Sequence, residues 1–205
     1  MRRRRVAIPA LLLALSLTAC AVEDSVEELI TGHKRHEAPP DPAVARATNY
    51  DRAVKLKGEG NCAAAIPLFE PLAKLGKGYE VAQLQLGQCY LQVAGTASTA
   101  AAADADRANA AKWILLAANS DQPSAQEQAA KLLLNGTGIA ADPIEAGKWF
   151  LLLQRNPLRS IIGPATPDPA LQQALQRQLT AAQWQEATSR ADQWKPAEQA
   201  SAAKP

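Results

Sequence analysis

His33 and His36 stand three residues apart in His33-Lys34-Arg35-His36, a spacing at which two imidazoles could share a metal ion. No acidic or cysteine ligand cluster accompanies them, so they read as a solvated patch and no metal is expected. They are the chain's only histidines. Nucleophilic catalysis needs a nucleophile beside a base, and neither a Ser-Lys motif nor an acidic pair set for a cleft occurs downstream. The carboxylates of the body fall at helix caps or on helix surfaces, where they serve structure. The chain is therefore expected not to be an enzyme and to carry no cofactor. Three kinds of chemistry remain: cysteine chemistry at Cys20, Cys62 and Cys89, packing or stacking by Trp113 and Trp149, and polar recognition by a stripe of long side chains.

A recurring two-helix unit must position these residues. Residues 125–135 repeat apolar side chains at helical spacing, and Gly136 follows where a helix end favours a left-handed residue. The next helix opens with Asp142 at the N-cap, Pro143 at the first position and Glu145 three residues after the cap, the pattern of a capping box. Upstream, Asp106-x-x-x-Ala110-x-x-Trp113 repeats the spacing of Asp142-x-x-x-Ala146-x-x-Trp149, 36 residues earlier. Ala82-Gln83-x-x-Leu86-Gly87-x-x-Tyr90 likewise matches Ala125-Gln126-x-x-Ala129-Ala130-x-x-Leu133. Such a period predicts an all-α chain of stacked antiparallel helix pairs, an α-solenoid in which no unit buries its apolar face alone. Trp113 and Trp149 occupy matching positions, so packing between helices is expected of them rather than stacking on a sugar or base.

The pattern Ala-x-x-x-Leu-Gly-x-x-Tyr, with Asp-x-x-x-Ala-x-x-Trp after it, resembles the Sel-1-like repeat, a relative of the tetratricopeptide repeat. Leu68-Phe69-Glu70-Pro71-Leu72-Ala73-x-x-Gly76 is similar to the segment that opens such arrays. The resemblance covers roughly residues 50–155 and implies a right-handed solenoid. It departs from the pattern between Tyr90 and Asp106, where an alanine run replaces Gly-x-Gly, and at Ala130 and Leu133, which replace glycine and tyrosine.

The N-terminus reads as an address. Arg2 to Arg5 precede a short apolar run, Val6 to Leu17, too short to span a bilayer and typical of a removed signal over residues 1–19. Leu17-Thr18-Ala19-Cys20 resembles the lipobox of bacterial lipoproteins, which implies lipidation at Cys20 as the mature N-terminus. Ala21 follows where an aspartate would resemble an inner-membrane retention signal, so the periplasmic face of the outer membrane is the expected location. Removing residues 1–19 takes four of the 22 basic residues and none of the 20 acidic ones, turning a formal charge of +2 into −2. A near-neutral body excludes the basic stripe of a nucleic-acid binder.

Residues 20–46, with Ala38-Pro39-Pro40-Asp41-Pro42, read as a tether. The body, residues 47–195, is long enough for one domain with a core. Helices are expected at 47–58, 62–75 (late or kinked at Pro67 and Pro71), 79–93, 106–118, 123–135 and 143–154. The alanines before Ala103 could lengthen the fourth. A loop at 157–167 carries an apolar patch at Ile161-Ile162. Two closing helices follow, at 169–179 and 181–194, the second opened by the capping box Thr180-x-x-Gln183. Trp184 and Trp194 are expected to pack on the preceding helices, and residues 196–205 to form a frayed tail. Cys62 and Cys89 lie about equally far from the turn at 76–78, so a disulfide is expected after export, two separate buried thiols being the alternative.

Around residues 79–93, Ala82, Leu86, Cys89 and Val93 form one apolar face and Leu84, Gly87 and Leu91 a second. Between them run Gln85, Gln88 and Gln92, continued in the next unit by Gln128, Lys131 and Asn135, a candidate partner-binding stripe of the solenoid groove. The expected function is a lipid-anchored interaction scaffold or assembly adaptor facing the periplasm, with an envelope protein or peptide as partner. The alternative is a glycan-binding protein or enzyme of the cell wall or exported polysaccharide.

Overall fold

The computed structural model of the protein describes residues 41–197. These residues form nine helices and no strand: α1 (Pro42–Gly58), α2 (Cys62–Ala73), α3 (Glu80–Ala94), α4 (Ala100–Asn119), α5 (Pro123–Asn135), α6 (Pro143–Arg155), α7 (Arg159–Ile162), α8 (Pro169–Gln178) and α9 (Ala181–Gln193). The described residues are all-helical, as their periodicity predicts. Among the described residues no helix is long and apolar enough to cross a membrane.

Local chemistry sets most of the helix starts. Side chains of Asn61, Thr99, Asp142 and Thr180 each accept a backbone N–H from the third residue after them, satisfying donors that the first turn leaves orphaned. Thr180 and Gln183 complete a reciprocal capping box. Asp142 and Glu145 do not: Asp142 accepts from the Glu145 N–H at 2.9 Å, but the Glu145 carboxylate turns to Lys148 and Arg190 instead.

Two expected boundaries move and a third holds. The helix expected at residue 47 begins at Pro42, because Asp41 accepts the Ala43 N–H at 2.6 Å and Pro42 occupies the first helical position. Residues 42–46 thus belong to α1 and not to the tether. Asp106 does not open a helix; Thr99 does, and the alanine run carries α4 through Asp106 as an interior residue. Finally, α2 runs from Cys62 through Pro67 and Pro71 without a late start. The tail is tied down as far as Ala197, whose N–H donates to the Asn119 carbonyl at 2.7 Å.

Each helix packs chiefly on its sequence neighbours from α1 to α6, and α9 then packs on α6. The apolar side chains gather in two clusters. One holds Ala53, Phe69, Leu72, Leu86, Cys89 and Trp113; the other holds Leu84, Ile114, Leu133, Trp149, Phe150 and Leu175. Helix α3 serves both, with Ala82, Leu86, Cys89 and Val93 on the first side and Leu84 and Leu91 on the second, which matches its predicted pair of faces. Gly87 lets α3 approach α4 closely: a Cβ there would sit 2.6 Å from Ile114 Cγ1 and 3.1 Å from the Ala110 carbonyl.

Repeat-matched positions are buried alike. Ala110 and Ala146 are fully buried, and Trp113 and Trp149 are 8% and 2% exposed, as packing residues should be. Gly136 adopts φ +67° at the α5 C-terminus, the left-handed conformation expected of it.

Candidate functional site

Helices α1 and α3 lie side by side, and their contacts run in step along both. Lys57, near the end of α1, donates to the side-chain oxygens of Gln85 and Gln88 in α3. Just beyond α1, the Gly60 carbonyl accepts from Gln92 Nε2 at 2.6 Å. Toward the other end, Ala43, Arg46, Ala47 and Tyr50 of α1 line a cleft with Tyr79, Val81 and Ala82 at the start of α3. The order is the same in both helices, so α1 and α3 run in the same direction.

This arrangement gives the glutamines a structural task. Gln85 and Gln88 are half-buried and held by the Lys57 ammonium, whose pKa burial pushes below the ordinary lysine value. Gln92 bridges to the Gly60 carbonyl. In the next unit Lys131 forms ion pairs with Glu127 at 2.7 Å and with Asp168 at 2.9 Å, which ties α5 to the cap of α8. Burial works against the Lys131 charge, but hydrogen bonds to both carboxylates outweigh it and hold its pKa above the ordinary value. Gln128 is half-buried, and Asn135 is the exposed last residue of α5. The stripe is present, but four of its six side chains are engaged within the chain.

The cleft is the part of that shared face left open. It encloses about 390 Å³. Tyr50 is positioned there by an edge-on contact with Phe69, ring centroids 5.9 Å apart, and its hydroxyl pKa is raised by burial and by neighbouring Asp51. Gly76 and Gly78, at φ +80° and +89°, make the turn that brings Tyr79 and Val81 to the rim. Val81 is 41% exposed. Apolar wall and aromatic hydroxyls suit an apolar side chain, while Arg46 and Asp51 put opposite charges on the lining. No nucleophile and base are brought together among these lining residues. Among the described residues no group of three or more His, Cys, Asp or Glu could hold a metal. A second cleft, of about 580 Å³, lies where Gly136–Ile139 meets Arg107 and Ala108 of α4. Much of its wall is backbone, since a Cβ on Gly138 would lie 2.0 Å from the Arg107 carbonyl.

Cys62 and Cys89 come together as expected: their sulfurs lie at disulfide distance, their Cα atoms 4.9 Å apart, and both are buried. Cys20, His33 and His36 lie outside the described residues. Trp184 and Trp194 are half-buried against the second apolar cluster, Trp194 edge-on to Trp149 at 5.8 Å.

A buried polar pair lies outside the residues singled out by sequence as candidate sites. Gln83 and Gln126, at matching repeat positions, are each fully buried. Gln83 Nε2 donates to the Ala73 carbonyl at the end of α2. Gln126 Nε2 donates to Asp121 Oδ1 in the turn after α4, and its own oxygen accepts from Asn156. Each therefore ties the start of a first helix to the end of the helix before it. Their shared spacing was the available signal.

Comparison with protein-family models, with curated proteins and with solved structures gives no match for this chain.

Proposed function

We propose that the protein is a lipid-anchored interaction scaffold facing the periplasm at the outer membrane. Its helices form a right-handed solenoid of the Sel-1-like, tetratricopeptide-related kind, and an envelope protein or peptide sits on the face shared by α1 and α3. One observation carries the reading: α1 and α3 run side by side in the same direction and leave between them a cleft of about 390 Å³ with Arg46, Tyr50, Tyr79 and Val81 on its walls. Successive first helices aligned in this way line the concave surfaces with which helical repeats hold extended partners. The equal burial of Ala110 and Ala146, and of Gln83 and Gln126, supports a repeating unit. The signal-like segment before Cys20 supports the anchor.

The test has two arms. Cys20→Ser should abolish labelling by a palmitate analogue and release the protein from the membrane fraction. Arg46→Glu with Val81→Glu should weaken capture of the partner from crosslinked envelopes about tenfold while helicity and melting temperature hold. Unchanged capture by that double variant would move the binding face elsewhere. Binding of isolated glycan strands, lost with Tyr79→Ala, would instead favour the polysaccharide reading, for which Tyr50 and Tyr79 offer aromatic rings.

A further inference from the structure

The most exposed large apolar side chains of the C-terminal half belong to one short segment. Leu158 is 41% exposed, Ile161 75% and Ile162 50%, all in or beside α7. Such exposure would be unremarkable in a loose loop, but this segment is braced from beneath. Asn156, only 7% exposed, donates through Nδ2 to the Asp121 carbonyl at 3.0 Å, to Asp121 Oδ1 at 2.9 Å and to Gln126 Oε1 at 3.0 Å. Its own Oδ1 accepts the Leu158 N–H at 2.9 Å, which fixes where α7 begins. At the far end Gly163 lies so close to the start of α5 that a Cβ would sit 2.8 Å from Pro123 Cβ. The bracing holds three aliphatic side chains in water as one ordered patch.

The segment itself carries a single charge, Arg159. From Ala146 to Pro167 the sequence contains Lys148, Arg155 and Arg159 and no acidic residue. Lys148 is neutralised by Glu145 and Arg155 by Asp192, which leaves Arg159, half-buried beside the patch with its Nε covered and Nη1 donating to the Ala165 carbonyl at 2.6 Å. An aliphatic tip around a cation matches the boundary of an anionic bilayer, where acyl chains meet phosphate. It suits a protein partner less well. A stable protein interface needs about 800 Å² a side with aromatic anchors, and three aliphatic side chains on a four-residue helix fall far short of that. A surface patch on an already anchored protein needs no such area, since it has only to orient the body.

We infer that Leu158, Ile161 and Ile162, with Arg159 among them, dip into the surface of an anionic membrane and fix the orientation of the anchored body. The inference rests on lipidation at Cys20. The 21 residues from Cys20 to Pro40 span at most about 75 Å, which leaves the anchor itself indifferent to which face turns toward the bilayer. Any fixed orientation must therefore come from the body.

The test uses the full acylated chain in vesicles of phosphatidylethanolamine with phosphatidylglycerol, carrying a genetically encoded dansyl side chain at position 161 or, as a control, at exposed position 186. Quenching by lipids bearing shallow nitroxides should be at least threefold stronger at 161 than at 186. It should fall at least twofold when phosphatidylcholine replaces phosphatidylglycerol, and again in the Leu158→Asp, Ile162→Asp variant. Equal quenching at 161 and 186 in vesicles that retain the protein would overturn the inference and leave the anchor standing. Retention of Cys20→Ser in the membrane fraction would instead remove the anchor reading. A probe at 161 that is shielded by envelope proteins but not by lipid would assign the patch to a protein partner and overturn the inference as well.

Discussion

The two apolar clusters of this molecule are built differently. The one beside α1 and α2 sets alanines among Phe69, Leu72, Leu86 and Trp113, and the Cys62–Cys89 pair joins α2 to α3 within it. The one around α5 and α6 is larger, rich in leucine, and organised by Trp149, which is 2% exposed. Trp194 meets that ring edge-on at 5.8 Å, and the Lys148 ammonium lies 4.1 Å from its centre. Outside the second cluster, Arg190 reaches Glu145 at 3.3 Å and Glu186 at 2.9 Å, joining α6 to α9. The difference shows two ways to tie neighbouring helices together: a covalent staple between α2 and α3, and aromatic and ionic contacts between α6 and the end of α9. The cleft proposed as the binding face belongs to the stapled half, and Ala43, Ala47 and Ala82 are among its lining residues.

Breaking the aromatic half should cost most. Trp149→Ala removes the largest fully buried side chain and is expected to destabilise the protein by about 3–5 kcal/mol. Chemical denaturation should register the loss, and hydrogen exchange should place it in α5, α6 and α9 ahead of α1 and α2.

Breaking the staple comes next. A cross-link closing a separation of 27 residues is worth about 3.5 kcal/mol in the chain-entropy description. Cys62→Ser with Cys89→Ser should lose up to that amount, with faster exchange confined to α1–α3. Thiol counting on denatured, unreduced wild-type protein should find neither Cys62 nor Cys89 free.

The seam between the halves was legible in the sequence, and so was most of what it joins. The two faces of α3 and the bounds of α5 follow from helical periodicity, which burial on both sides enforces. The bounds of α1 did not follow: Asp41-Pro42 is the same cap-then-proline start as Asp142-Pro143, but Pro39 and Pro40 just before it gave the stretch the look of extended chain. Asp106 misled for the opposite reason, since Ala100 to Ala103 extend the helix past a residue with the right spacing for a cap. The polar stripe was found but its engagement was not. Periodicity within α3 shows which side chains share a face and says nothing of Lys57 arriving from another helix. Gln83 and Gln126 escaped because a polar residue at a repeat position gives no sign of which backbone carbonyl or turn it will meet.

Gly87→Ala tests the seam itself. Its Cβ would meet Ile114 Cγ1 at 2.6 Å, and a cost of about 1–3 kcal/mol is expected because backbone and side chain must both give way. The readout is denaturation together with exchange rising in α3 and α4.

The smallest effect is expected from acid. The hydrogen bond from Lys131, with the Ala170 N–H adding to it, holds the Asp168 carboxyl below its ordinary 3.8. A carboxyl with a lowered folded-state value stabilises above its unfolded value and loses that contribution as pH falls through the folded one. Below about pH 4 the bridge from α5 to α8 should therefore weaken, and amide exchange should rise in α8 while α2 and α3 hold. Lys131→Met should bring this local change on at neutral pH.

Site-specific photo-crosslinking in intact envelopes tests the binding face most directly. A crosslinking side chain is placed in turn at Val81, at the rim of the cleft, and at Gln88, within the polar stripe. The expected result is a discrete protein adduct from position 81 that disappears with Arg46→Glu, and little or none from position 88. A strong adduct from position 88 with none from position 81 would contradict the assignment of the partner to the α1–α3 cleft.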